Sequence, residues 1–314
     1  MIKEIKICEV CQNKKLYNVL DLGLHPLCDD LISFNEDRVC QEFPIEILLC
    51  KKCFTAHQKF QVPKQLLFHP DYHYRARMTG SVLLGMKDFV KSCEDNFGSL
   101  RNKTVLDIGC NDGTFLNFFK SLKNLSLYGI DPSAEKFKKY HSKKINLIVD
   151  YFKKDKINQK YKNINFDLIT SFAMFYDIGD PNAFCKDIQK LLTKNGKWIL
   201  ELSYFPLLLK NLTYDQICHE HVTYYTLTTF ENIIKKNGLK ILDFKLNNIN
   251  GGSIEITCSK KNAKHIPNIK KINLQKKIES KITNNSYKNF NQKVENIKKI
   301  LNLFLEKNKG DVIG

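Results

Sequence analysis

Val105-Leu106-Asp107-Ile108-Gly109-Cys110-Asn111-Asp112-Gly113-Thr114-Phe115-Leu116 is the stretch that decides the fold class. It predicts a buried strand, a glycine turn and a helix start. Val105 to Ile108 is apolar apart from one acid, as in a strand covered on both faces. Gly109 and Gly113 let the backbone pass close to a ligand with no Cβ in the way. Asn111 and Asp112 suit a turn and a helix N-terminus. A second apolar run, residues 125–130, ends in Asp131, which lies 24 residues beyond Asp107. At that separation a strand–helix–strand unit presents a carboxylate to ribose hydroxyls. No Lys-Ser/Thr pair follows the glycines, which argues against a P-loop. A tight turn in an ordinary α/β protein is the plainer alternative.

The pattern continues outward. Phe115, Leu116, Phe118 and Phe119 give the first helix an apolar face. Residues 146–150, 166–171 and 197–202 read as further strands. Asp180-Pro181 opens a helix that runs to about Leu192, and Asn195-Gly196 turns it into the fifth strand. Two late strands, near 240–246 and 253–259, are joined through Gly251-Gly252-Ser253. Ligands in open α/β sheets bind beyond the strand C-termini. Phe172-Ala173-Met174-Phe175-Tyr176-Asp177 is therefore expected to line the site.

At 314 residues the chain should form two or more domains, and 43% hydrophobic residues can fill sizeable cores. No apolar run is long enough to span a bilayer, and Met-Ile-Lys-Glu-Ile-Lys lacks the apolar core of a secretion signal. The expectation is a cytoplasmic protein with no membrane partner. The formal charge is +17, yet from Lys260 onward fourteen lysines stand against four acids. Most of the excess thus belongs to the tail, where lysine runs form a solvated helix face. That makes a nucleic-acid partner unlikely, and the remaining positive balance favours an anionic small molecule such as a nucleotide-sugar.

Eleven cysteines without a secretion signal argue against a disulfide framework. Cys8-Glu-Val-Cys11 and Cys50-Lys-Lys-Cys53 form two C-x2-C knuckles, each able to offer two thiolates to one ion. Together they close a tetrahedral four-cysteine zinc site with no open position, a structural staple. Cys28 and Cys40 lack partner spacing and read as ordinary small apolar residues.

Tyr214-Asp215-Gln216-Ile217-Cys218-His219-Glu220-His221-Val222-Thr223-Tyr224-Tyr225 is unusually dense in titratable groups. The histidines are two apart, so on a helix they would point away from each other. In an extended loop they share a side and could face one pocket, with Glu220 turned away or orienting a ring. A hydrogen-bonded polar loop is the plainer alternative.

The segment at 105–116 resembles motif I of class I S-adenosylmethionine (SAM) methyltransferases. The first knuckle, Leu22-Gly23-Leu24-His25-Pro26-Leu27, the second knuckle, Tyr72-His73-Tyr74 and the His219-Glu220-His221 phrase together resemble the sugar C-methyltransferases. Members of that family methylate a carbon beside the ketone of a nucleotide-linked 4-keto-deoxysugar. The resemblance covers most of residues 5–260. It implies a class I methyltransferase Rossmann-like sheet behind an N-terminal four-cysteine zinc domain, followed by a helical C-terminal tail. The boundaries expected are 1–80, 81–262 and 263–314.

By the same resemblance SAM would meet Asp107, Gly109, Asn111, Gly113, Asp131 and Ala173, with Asp150 at the adenine amine and Tyr151 on the ring face. Glu220 and His221 would supply the base, and Tyr74 could donate to the keto or enolate oxygen. Tyr72, Tyr176, Asp177, His219, Tyr224 and Ser253 would line the substrate side. A carbon beside a ketone needs a base of near-neutral pKa and donors on the enolate oxygen before it can attack a sulfonium methyl. Three positions depart from the family: Cys218 replaces a tyrosine, Asp177 stands where a histidine aligns, and Glu255 stands where many members have arginine. The first two alter the pocket wall without touching the proposed base. The third removes a phosphate contact.

Residues 265–309 are rich in lysine and asparagine, with Val294, Ile297, Ile300, Leu301, Phe304 and Leu305 at the spacing of an amphipathic helix. Asp311-Val312-Ile313-Gly314 resembles the opening of the family's C-terminal Rossmann-like domain, most of which this sequence is expected to lack. Two other functional readings remain open. One is an RNA methyltransferase with a zinc ribbon, although no Pro-Pro-Tyr/Phe motif follows the fourth strand. The other is a non-catalytic truncated binding protein.

Overall fold

The structure is a computed structural model, and it describes residues 2–33, 35–68, 72–119 and 124–310. The expected strand start at 311–314 lies outside the described residues.

The N-terminal part holds β1 (Lys3–Glu4), β2 (Leu16–Pro26), β3 (Glu42–Cys50), β4 (Ala56–Gln58), β5 (Phe60–Gln61) and a single turn of helix, α1 (Lys64–Leu67). β2, β3 and β4 form an antiparallel meander, in which Leu16 pairs with Cys50 and Leu49 with Ala56. That register brings the second knuckle beside the first.

The central part begins with α2 (Gly80–Phe97), followed by β6 (Thr104–Ile108), α3 (Thr114–Phe118), β7 (Ser126–Ile130), β8 (Ile145–Ile148), α4 (Lys154–Lys160), β9 (Phe166–Phe172), α5 (Pro181–Leu191) and β10 (Leu192–Ser203). Then come α6 (Phe205–Asn211), β11 (Thr223–Tyr224), α7 (Leu227–Lys236), β12 (Leu239–Asn247) and β13 (Ser253–Lys260). Seven strands make one sheet in the order β12-β13-β10-β9-β6-β7-β8. β13 runs antiparallel to both its neighbours and the other pairings are parallel. The strand order reverses between β6 and β9, and a ligand crevice opens at such a switch point.

Side chains alternate across the sheet. Val105, Leu168 and Ile199 face α2 and α3 through Met86, Phe89 and Phe115. Leu106, Ile169 and Trp198 face α5 and α7 through Phe184, Ile188 and Phe230. Local signals start these helices. Asp180 accepts a hydrogen bond from Ala183 N with Pro181 in the first turn, and Thr226 and Thr229 form a reciprocal capping box on α7.

Three local expectations shift. The third strand ends at Ile148, leaving Asp150 beyond it. Asn195-Gly196 does not interrupt the fifth strand; β10 runs through it, and its register against β9 shifts between Leu192 and Lys197. A Cβ at Gly196 would lie 2.8 Å from the Phe166 carbonyl oxygen, so close backbone approach accounts for the glycine. The tail is two helices, α8 (Ile269–Glu279) and α9 (Asn284–Lys307), rather than one. Tyr287, Phe290 and Val294 of α9 pack with Phe205 of α6 and Leu20 of β2. Ile300, Leu301, Phe304 and Leu305 each remain about half exposed.

The two parts share a sheet. β11, from the segment dense in titratable groups, adds to the edge of the N-terminal meander through Thr223–His57 and Tyr224–Ala56 pairing. No helix among the described residues is long and apolar enough to cross a membrane.

Candidate active site and metal centre

A cavity of about 490 Å³ opens at the C-terminal ends of β6, β7 and β9. The strand–turn–helix segment forms its floor. Gly109 has φ +79°, and Met174 would lie 2.9 Å from a Cβ there, so both backbone and space require glycine. Gly113 also has positive φ and starts α3, but it packs against the His141 ring and does not line the cavity.

Asp107, Gly109, Asn111, Asp131, Tyr151 and Ala173 all line this cavity. Asp131 accepts from Ser133 N at 2.7 Å and from Asn111 N at 3.0 Å, which holds its carboxylate at the end of β7. Asp107 is fully buried and accepts from Thr170 Oγ1 at 2.7 Å, and burial raises its carboxyl to about 8. Ala173 has φ +52°, a sparsely populated conformation for a residue with a side chain, and its N–H donates to the Glu201 carbonyl. Asp150 lies outside the lining; Lys156 binds it at 2.8 Å and holds its carboxyl below the usual range.

The segment after the second knuckle closes over the floor. Asn111 donates to the Tyr74 carbonyl and accepts from Ala76 N. Arg75 binds the buried Asp112 at 3.1 Å and stacks 3.9 Å above the Tyr140 ring. Tyr72 and Tyr74 thereby line the same cavity, as does Asp177. Burial first, then the nearby Asp177 and Glu220, pushes the Tyr72 hydroxyl up.

Asp177 links this wall to the segment dense in titratable groups. It is half-buried, and burial raises its carboxyl to about 8, with His221 opposing and Glu220 adding to the shift. His221 Nδ1 lies 2.7 Å from the Gln216 carbonyl. A carbonyl only accepts, so Nδ1 carries the proton and Nε2 is left as the acceptor. The Tyr176 ring packs 4.1 Å from the His221 ring, centroid to centroid. Glu220 is buried, and its Oε2 has no hydrogen-bond partner among the described residues.

His219, Tyr224 and Ser253 face elsewhere. His219 Nε2 lies 3.1 Å from the Phe43 carbonyl and ties the segment to β3. Tyr224 is buried on β11 against Phe205. Ser253 donates to the Ile249 carbonyl at the start of β13. None of these three, nor Tyr176, Glu220 or His221, belongs to the cavity lining.

The sequence reading passed over several groups. Lys64, Phe68, Phe152 and Asp187 line the cavity. Glu201 is fully buried in β10, and burial raises its carboxyl to about 7. The C-terminal ends of strands flag Phe152; nothing local flags Lys64, which tertiary packing delivers from the N-terminal part.

The knuckles converge as expected. Cys8 Sγ and Cys53 Sγ lie 3.5 Å apart, Cys11 Sγ and Cys50 Sγ 3.6 Å, and all four sulfurs fall within 4.8 Å of one another. A tetrahedral zinc with Zn–S bonds of about 2.3 Å separates its sulfurs by roughly 3.8 Å, so the four fit zinc. Cys53 beside it pushes the Cys8 thiol up, because thiolates this close need a cation among them. His57 was not anticipated; its Nε2 lies 3.2 Å from Cys8 Sγ, a second-layer contact of the kind that orients a ligand.

Comparison with known proteins fits this geometry. A family model described as "Methyltransferase domain" matches residues 83–243, just over half of the chain. The chain belongs to the methyltransferase-domain family. A second family model, described as "Putative zinc binding domain", matches residues 8–68 of this methyltransferase. The C-methyltransferase NovU of Streptomyces niveus is 24% identical over 268 residues, covering 84% of this chain and 63% of NovU. The tRNA U34 carboxymethyltransferase of Campylobacter fetus is 28% identical over 116 residues, 34% of this chain and 39% of its own length. The chain thus spans less than two thirds of either relative. Among solved structures, the plantazolicin methyltransferase BpumL in complex with a pentazolic desmethylPZN analog and SAH superposes with a TM-score of 0.47 at 16% identity. It covers 63% of this chain and 91% of BpumL.

Proposed function

We propose that this methyltransferase uses SAM to methylate a carbon beside the ketone of a nucleotide-linked 4-keto-deoxysugar. The observation that carries the reading is His221: its Nδ1 proton is committed to the Gln216 carbonyl, which leaves Nε2 as a base beside Tyr176, Asp177 and the buried Glu220. The relation to NovU, a C-methyltransferase, supports the same class of reaction.

The cavity suits SAM in size and chemistry. A volume of about 490 Å³ lies within the range of small-molecule sites. The Asp131 carboxylate stands where ribose hydroxyls can donate to it. Tyr151 and Phe152 offer aromatic surface to a base, and the floor at Gly109 admits close backbone approach. Bound SAM supplies an electrophilic methyl group on a sulfonium.

The residues of the chain do the rest. His221 Nε2 takes the proton from the carbon beside the ketone, and the imidazolium that forms lies among the Asp177 and Glu220 carboxyls. Tyr72 and Tyr74, whose hydroxyls carry their protons at neutral pH, donate toward the oxygen of the enolate. The enolate carbon would then take the methyl group as its bond to the sulfonium sulfur breaks, the electron pair returning to sulfur and the demethylated thioether leaving. The Arg75–Asp112 pair and the Asn111 contacts hold the tyrosines in place.

The test is mass spectrometry of methyl transfer from SAM to a panel of nucleotide-linked 4-keto-6-deoxysugars, with bulk RNA alongside. A sugar-nucleotide gaining one methyl group is the expected result. Methylated RNA without a sugar product would move the assignment to the RNA-modifying relatives. No methyl on either, from protein that binds SAM, would overturn the proposed substrate class.

A further inference from the structure

A second group of metal-ligating side chains lies in this molecule, apart from the four-cysteine cluster. Cys28 follows β2, while Cys218 and Glu220 sit in the segment before β11. Their ligand atoms all lie within 4.8 Å of one another. In sequence Cys28 reads as an ordinary small apolar residue. The fold brings it to Cys218 across 190 positions.

Three properties point to a cation. Glu220 is 8% exposed, and its Oε2 has no hydrogen-bond partner among the described residues. A buried carboxylate oxygen without a donor is costly unless a proton or a cation meets it. The two thiols beside it offer the cation soft ligands. Access is graded as well: Cys28 is exposed, Cys218 half-buried and Glu220 buried, so an ion can enter from solvent at Cys28.

We propose that Cys28, Cys218 and Glu220 bind one divalent ion of the zinc class. Two thiolates and one carboxylate suit a borderline-soft ion and do not suit magnesium or calcium, which take oxygen ligands. Three protein ligands leave a fourth tetrahedral position open, unlike the closed four-cysteine cluster. Binding forms two metal–sulfur bonds and one metal–oxygen bond, and each thiol releases its proton to solvent. No electrons move. The site rests on these three side chains and not on the reaction proposed above.

The experiment is a cobalt(II) titration of the metal-free, reduced full chain, read by thiolate-to-cobalt charge-transfer absorption. Two equivalents are expected to bind, the first with four thiolates and the second with two, so the second adds about half the absorption of the first. Cys28→Ser, at an exposed position, should stop binding at one equivalent and leave thermal melting unchanged. Glu220→Gln should weaken the second equivalent by about tenfold or more and leave the first intact. A wild-type chain that saturates at one equivalent, or a Cys28→Ser chain that still takes two, would overturn the proposal. Cys218→Ser provides an independent variant with the same expected loss. None of these readouts depends on methyl transfer, so failure of the metal site and failure of the proposed reaction are separable.

Discussion

Glu279→Gln probes whether α8 is an integral part of the methyltransferase fold. Glu279 is 7% exposed and reaches from α8 to the N-terminus of α7. Oε1 accepts from Tyr204 OH and Leu227 N, both at 2.5 Å. Oε2 accepts from Thr228 N at 2.9 Å and also from the Thr228 hydroxyl. Glutamine preserves the Oε1 contacts and turns an NH2 group toward donors at the other position. One backbone N–H to a charged acceptor is then lost, at about 1.5–3 kcal/mol. Loss of a negative charge at a helix N-terminus adds about 0.3–1 kcal/mol. The Thr228 hydroxyl can rotate and costs little. The sum is about 3 kcal/mol, which lowers Tm by about 6–12 °C on the scaling for domains of 150–250 residues. Circular dichroism melts and urea titrations of the ligand-free chain measure both quantities. Glu306→Gln, exposed near the end of α9, is the control and should change stability by less than about 0.5 kcal/mol. A Tm for Glu279→Gln within about 1 °C of wild type would refute the argument that this carboxylate caps α7.

Asp107→Asn tests the cost of a buried acid. Its folded pKa of about 8 lies above the ordinary 3.8, so its contribution is complete below about pH 4 and is lost as pH rises toward 8. Across that window the wild type should lose up to about 1.4 kcal/mol per pH unit that the variant keeps, and equal urea-midpoint slopes between pH 5 and 8 would contradict this. His221→Ala should reduce methyl transfer by about 10²–10⁴ with SAM affinity unchanged, and wild-type exchange of the sugar proton with solvent in that variant would remove the base assignment. Cys50→Ser combined with Cys53→Ser should release zinc and loosen the N-terminal meander. A wild-type chain found by metal analysis to hold no zinc would undo the four-cysteine centre.

What the sequence determined by itself was local. The continuous buried run of β6, the left-handed glycine at 109, the acid at 131 and the proline-capped start of α5 are each set by neighbouring residues, so the parallel sheet was legible from its punctuation. The two knuckles were legible for the same reason, since a tight turn is enough to pair two thiols. Contacts between distant positions were decided only by tertiary structure. Sequence spacing placed His219, Glu220 and His221 along one loop. The pairing of β11 with β4 then directs His219 to the Phe43 carbonyl and His221 to the Gln216 carbonyl, beside Tyr176. Asp150 was expected at the cofactor from the family resemblance, but β8 ends two residues earlier and Lys156 takes its carboxylate. Lys64, His57 and Cys28 carry no local signal, because their partners lie across the boundary between the N-terminal meander and the methyltransferase sheet or across a long stretch of chain. Helix and strand signals are short-range, set by backbone sterics and side-chain periodicity, whereas a catalytic constellation depends on which surfaces bury one another.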